Sequence, residues 1–148
     1  MALQRSTNAA VKQFAQAEIN EQQDVRNNLS RIAPKLGVTV PTTPNARNQA
    51  ISARMSQLRG ENFDKAFLQE AGINAHLENA SVYQREAAFG QNQDLIAVAN
   101  KGLPIISNHF NTASSLTNYR VAGLIQHINT PSTGTSGTAP QNNNTAPQ

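Results

Sequence analysis

Two imidazoles and a small set of acids and amides are the side chains in this sequence best placed for chemistry. Helix-period apolar stripes run along most of the chain, and polar residues interrupt them near mid-helix. Glu18 and Gln22 stand where the first long stripe calls for apolar side chains, with Glu21 one position away. His76 shares a face with Ile73, Ala80 and Tyr83, and His109 lies between Ile106 and Ala113. Inward carboxylates and imidazoles at mid-height are how helical bundles build metal and cofactor sites. The competing reading is structural. A lone buried polar group costs about 1–3 kcal/mol unless it is hydrogen-bonded, so Glu18, Gln22, His76 and His109 could form a buried polar layer that satisfies itself with no metal.

Two details weigh on the metal reading. A di-iron carboxylate bundle places Glu-x-x-His on two helices, but here Ile73 precedes His76 by three and Ile106 precedes His109 by three. Counted from the turn at Gly90, His76 lies 14 residues back and His109 19 forward. At about 1.5 Å per residue the mismatch is roughly 7 Å. That spacing predicts a shared polar layer, with direct co-ligation requiring an offset between helices.

Other chemistries lack their residues. The absence of Cys removes disulfides, thiolate nucleophiles and thiolate metal ligands. No Gly-x-Ser-x-Gly elbow and no phosphate-cradling glycine loop is present. The reading is therefore of a protein with no catalytic residues and no cofactor, a divalent metal being the alternative. Tyr83 and Tyr119 read as core-edge residues and His127 as exposed.

The elements that would position these groups are helices. Val11, Phe14, Glu18, Gln22, Val25, Leu29, Ile32 and Leu36 recur at steps of three or four. They predict a helix over 8–36, capped by Ser6 or Thr7, loosened by Pro34 and ended by Gly37. A loop with two prolines follows. A short helix over 45–58 is marked by Ala46, Ile51, Met55 and Leu58 and closed by Gly60. A third, capped by Asn62, runs to about Phe89, marked by Phe63, Phe67, Ile73, Leu77, Ala80 and Tyr83. The last starts near Gln93 and reaches about Ile128, with a kink expected at Pro104. The fold class is all-α: an antiparallel bundle of three long helices and one short one over 1–128. The remaining stretch, 129–148, rich in Ser, Thr, Pro, Asn and Gln, cannot bury enough surface to order itself.

Composition agrees. Of 148 residues only 14% are charged and 5% aromatic, while Asn and Gln number 18 and 14, so the core must be aliphatic and Ala-rich. No apolar run reaches the ~18 residues of a transmembrane span, and MALQRSTN does not read as a secretion signal. The net charge is +3, and its positive part is local. Arg26, Arg31, Lys35, Arg47, Arg54 and Arg59 lie in a stretch without an acid, whereas the segment from Glu61 to Asp94 is net negative. The basic stretch is a candidate surface for an anionic polymer. The plainer reading is a solvated face countered by a neighbouring helix. No aromatics interleave these residues as a single-strand binder would need, so no specific nucleic acid is expected.

Specific strings narrow the picture. Leu3 to Gln16, LQRSTNAAVKQFAQ, resembles the junction of the first two helices in the domain-of-unknown-function 4142 family. Leu36-Gly37-Val38 with the following proline, Phe63-Asp64-Lys65-Ala66-Phe67, and the run from Asp94-Leu95 through Leu103-Pro104 to His109-Phe110 agree in order and spacing. The resemblance covers about residues 2–118. It implies a ferritin-like bundle of the bacterial periplasm or outer membrane. The family's second helix usually carries an acid–His pair, and here Glu21-Gln22 stands there, so one imidazole is lost. His76 and His109 match its later histidines, which implies a retained metal set of Glu21, His76 and His109. The family's first long helix and secretion signal should precede Ala2. A bundle lacking that helix leaves an apolar trough, and the expectation is that a second copy or the last helix beyond Leu116 fills it, unless the sequence is truncated. Three functions follow as expectations: a non-enzymatic cell-envelope bundle with a structural, binding or stress-related role; a degenerate ferritin-like metal binder using Glu21, His76 and His109, with Glu18 as an optional further ligand; and a binder of anionic polymer through Arg26 to Arg59.

Overall fold

The computed structural model describes residues 1–117, and over them the chain is mostly helical, with a loop over 37–45 and no strand. Tyr119, His127, the last helix beyond Thr117 and the segment 129–148 lie outside the described residues.

A one-turn helix α1 (Ala2–Arg5) leads into α2 (Ala9–Ile32). The cap of α2 is Asn8, not Ser6 or Thr7. Asn8 Oδ1 accepts from the backbone N–H of Ala10 at 2.9 Å and of Val11 at 3.3 Å, satisfying two donors that a helix start leaves orphaned. Ser6 sits one step earlier, where its Oγ accepts from the Asn8 N–H at 3.0 Å. Pro34 tightens the end of α2 into a 3₁₀ turn, Ala33–Leu36, and Gly37 stops it at φ 67°, a left-handed conformation that favours glycine.

Asn45 caps α3 (Ala46–Ser56) through Asn48 N–H. Gly60 does not close α3; at φ 55° it is the first residue of α4 (Gly60–Phe67), and Asn62 is inside that helix, not its cap. A π-helical turn, Leu68–Asn74, joins α4 directly to α5 (Ala75–Phe89). The expected third helix is thus one helical stretch with a π insertion. After a short turn α6 (Gln93–Thr117) runs antiparallel to α5 and continues through Pro104. The proline leaves the Asn100 carbonyl without its usual helical donor.

The core lies at one end. Val11 and Phe14 of α2 meet Leu68 and Ile73 of the π turn and Ala113 of α6, with Phe67 and Phe110 packed alongside. A second cluster of Ala2, Ala15, Met55 and Phe63 holds α1 and α3 onto α2 and α4. At the other end α6 packs on both α5 and α2, whereas α2 and α5 barely touch. A cavity of about 350 Å³ opens between the three helices there. Leu77, an expected core mark, is exposed because His76 is the inward residue of that pair.

The basic stretch is exposed and half neutralised. Lys35 pairs with Asp94 at 3.3 Å, Arg47 with Glu78 at 2.5 Å, and Arg54 with Glu70. Its counter-charge therefore comes from the acidic segment, while Arg26, Arg31 and Arg59 make no ion pair among the described residues. Among the described residues no helix is long and apolar enough to cross a membrane.

Candidate functional site

Three helices deliver the polar cluster. Phe14 and Glu18 lie one turn apart on the inner face of α2, His76 opens α5, and His109 stands two-thirds of the way along α6. Both imidazoles are buried, at 4% and 6% exposure, and Glu18 is half-buried. Glu18 Oε1 lies 3.0 Å from His76 Nε2 and 2.5 Å from His109 Nδ1. Glu21 Oε2 lies 3.1 Å from His109 Nε2, on the far side of that ring. The rings themselves are 5.5 Å apart between centroids.

This proximity corrects the expected height mismatch, and the reason is geometric. Measured from the ends that face the turn, His76 is 13 residues above Phe89 and His109 is 16 above Gln93, a rise difference of about 4.5 Å. Helical side chains tilt toward their own N-terminus. In antiparallel helices that tilt carries the lower ring up and the higher ring down, so both reach one oxygen.

The π turn sets the third contact. His76 Nδ1 lies 2.9 Å from the carbonyl oxygen of Ala71, five residues back. It donates there, which leaves Nε2 to face Glu18. π insertions within α-helices recur at functional sites, and this one brings the turn hard against α6: a Cβ on Gly72 would sit 2.5 Å from that of Ala113. Phe14 closes the site on the core side, its ring centroid 6.3 Å from His76 and 5.7 Å from His109.

The electrostatics follow from what the ring nitrogens face. All four imidazole nitrogens point at oxygen acceptors: Ala71 O, Glu18 Oε1 twice, and Glu21 Oε2. An acceptor facing a bare nitrogen lone pair is repulsive, so each contact needs a proton or a cation between its atoms. Burial works against charge on His76. The hydrogen bond and charge of Glu18, together with the carbonyls of Ala71 and Gly72, outweigh it, and the His76 pKa lies above its ordinary value. A divalent cation held among these atoms would be matched in charge by Glu18 and Glu21.

The atoms that could hold a cation are one each from Glu18, His76 and His109, all within 4.8 Å of one another. Two nitrogens and a carboxylate oxygen form a donor set suited to zinc or ferrous iron more than to calcium or magnesium. Of the retained set expected from the resemblance, His76 and His109 offer atoms to this group, whereas Glu21 does not. Glu18 is the shared carboxylate, and Glu21 is its outer neighbour on His109. Gln22 does not belong to the buried layer. It is exposed and lines the cavity instead, because the inward face of α2 at this level is set by Phe14, Glu18 and Glu21.

The family model described as Domain of unknown function (DUF4142) matches residues 1–116. The chain belongs to this family. No curated protein and no solved structure matches it. The DUF4142 match runs from α1 to the last turn of α6, so all four residues of the cluster lie within the domain.

Sequence reasoning missed Ala71 and Phe14 as parts of this site. A glycine at 72 inside an otherwise helical pattern was the one signal of the irregular turn. It also missed Asp64, buried with its Oδ1 lacking a hydrogen-bond partner among the described residues. Nothing in its surroundings explains that cost.

Proposed function

We propose that this DUF4142 domain is a non-enzymatic bundle that binds one divalent transition-metal ion through Glu18, His76 and His109, with Glu21 orienting His109. The observation that carries the reading is the single carboxylate oxygen, Glu18 Oε1, within hydrogen-bond reach of a nitrogen from each of two buried imidazoles. Support comes from the Ala71 carbonyl, which fixes the His76 tautomer so that Nε2 is the free donor atom. Such outer hydrogen bonds are the usual companions of metal-ligating imidazoles. The cell-envelope setting is an expectation from the family resemblance.

The anionic-polymer reading is weaker. Lys35, Arg47 and Arg54 are already engaged by acids of the same chain, leaving Arg26, Arg31 and Arg59.

Metal analysis of tag-free protein after dialysis against zinc or anaerobic ferrous iron tests the proposal. The expected result is one equivalent of retained metal, lost in Glu18→Gln. Retention below a tenth of an equivalent for zinc, iron, manganese and copper alike would show that the cluster is a self-satisfied polar layer.

A further inference from the structure

The cavity between α2, α5 and α6 meets the proposed metal site at its upper end, where Glu21, His76 and His109 line it, but the chemistry of the rest of its length is different. Val25 and Ile32 of α2 and Val98 and Ile105 of α6 give it aliphatic walls. Its lining residues on α6 extend from Asp94 to His109, about 22 Å of helix. Spread over that length, about 350 Å³ is a slender channel. It suits one alkyl chain.

The polar groups of the channel are placed for an anion. Lys101 lines it without an ion-pair partner among the described residues, and Arg31 has only the neutral Asn28 amide. Lys35 and Asp94 cancel one another and Glu21 faces His109, leaving Asp24 as the one lining acid without a partner among the described residues, against the two cations Lys101 and Arg31. Tyr83, half-buried, also lines the channel, and its hydroxyl has no hydrogen-bond partner among the described residues. Gly102, next to Lys101, fixes this arrangement. A side chain there would collide with the Tyr83 ring, so glycine is what lets the phenol lie across α6 beside the lysine.

We propose that this channel binds a medium-chain carboxylate, its alkyl chain between Val25, Ile32, Val98 and Ile105 and its head group held by Lys101 and Tyr83, with Arg31 adding charge. Channel volume, aliphatic walls and unpaired donors are the dimensions of a small-ligand pocket. Binding does not require the metal.

Calorimetric titration of the full chain, stripped of metal with a chelator, tests this with decanoate, decanol and decyltrimethylammonium. Decanoate is expected to saturate at one equivalent, at least tenfold tighter than decanol, with the cation weaker still. Lys101→Met should cost decanoate about tenfold and leave decanol unchanged, and Val98→Phe should abolish both. Backbone amide shifts of the unmutated chain, perturbed by decanoate within 25–32 and 79–106, keep the test valid should Val98→Phe not fold. Three outcomes overturn the proposal: no saturable binding below 1 mM, preference for the cationic amphiphile, or a dimer that buries the channel and ignores all three. Because the titration is metal-free, failure of the metal site leaves this result untouched, and the reverse also holds.

Discussion

Glu18 matters because two buried rings depend on one of its oxygens. Glu18→Gln keeps the shape but offers an amide in place of a carboxylate. Zinc affinity measured by competition with a chromophoric chelator should fall at least about 100-fold, whereas Glu21→Gln, which alters an outer contact, should cost about 10-fold. The pH response of the metal-free chain follows from His76. Its folded pKa is raised above 6.5, so its protonation stabilises the fold. That contribution is complete below the unfolded value near 6.5 and disappears as pH climbs through the raised folded value. Thermal melts from pH 6 to 8.5 should show a falling midpoint, and His76→Gln should flatten that fall. Loading with zinc should reverse the trend, because the ligand nitrogens must first shed protons; a pH-independent affinity would contradict the site. At this scale the histidines were legible from the stripes they interrupt. Which acid they share was not, because Glu18 and Glu21 lie on nearly the same face and only side-chain reach separates them.

Among the elements, the π turn carries the most information per residue. It aims the Ala71 carbonyl at His76 and passes within contact distance of α6 at Gly72. Gly72→Ala would force the turn away from Ala113. Overpacking of this kind costs about 1–3 kcal/mol, so the denaturant midpoint should drop, and zinc affinity should drop with it because His76 moves. A variant losing stability but keeping full affinity would show that the turn and the site are uncoupled. Asn8→Ala serves as the contrasting case: losing the α2 cap should cost about 1 kcal/mol and leave metal affinity unchanged. The helices themselves were readable from periodicity, and Gly37 and Pro34 acted as expected. The starts were harder. Ser6, Thr7 and Asn8 are all competent caps, and the choice depended on Ser6 Oγ being taken by the Asn8 N–H. Gly60 looked like a stop because glycine after a helix usually is one. Here its left-handed backbone opens the next helix instead. The insertion of one extra residue per turn at 68–74 has no periodic signature, since it breaks the period it would be read from.

For the whole molecule, the three ion pairs from the basic stretch join distant parts of the chain, yet all are exposed, the Glu70 carboxylate excepted. Exposed pairs contribute little to stability and are screened by salt. Raising sodium chloride from 0.05 to 1 M should therefore change the melting midpoint little. Metal should change it more: a ligand at 100 times its Kd stabilises the folded state by about 2.7 kcal/mol, and a zinc-saturated chain that melts with the metal-free one would contradict binding to the native fold. The all-α architecture was legible because nearly every apolar residue obeys one period. The cavity was not, because it is made by two helices that part below Glu18 and His76, and no single stripe reports a distance between helices.

That gap divides the molecule into a firm upper part and a slack lower one. Above the imidazoles, rings and branched aliphatics interlock; beneath them, α2 and α5 do not brace one another and each rests on α6 alone. Backbone amides should exchange with deuterium orders of magnitude faster along Asn79–Phe89 than along Leu68–His76. Transient splaying of the lower shafts would then be the doorway through which any guest enters, with Glu18 and the two imidazoles as the hinge that stays shut.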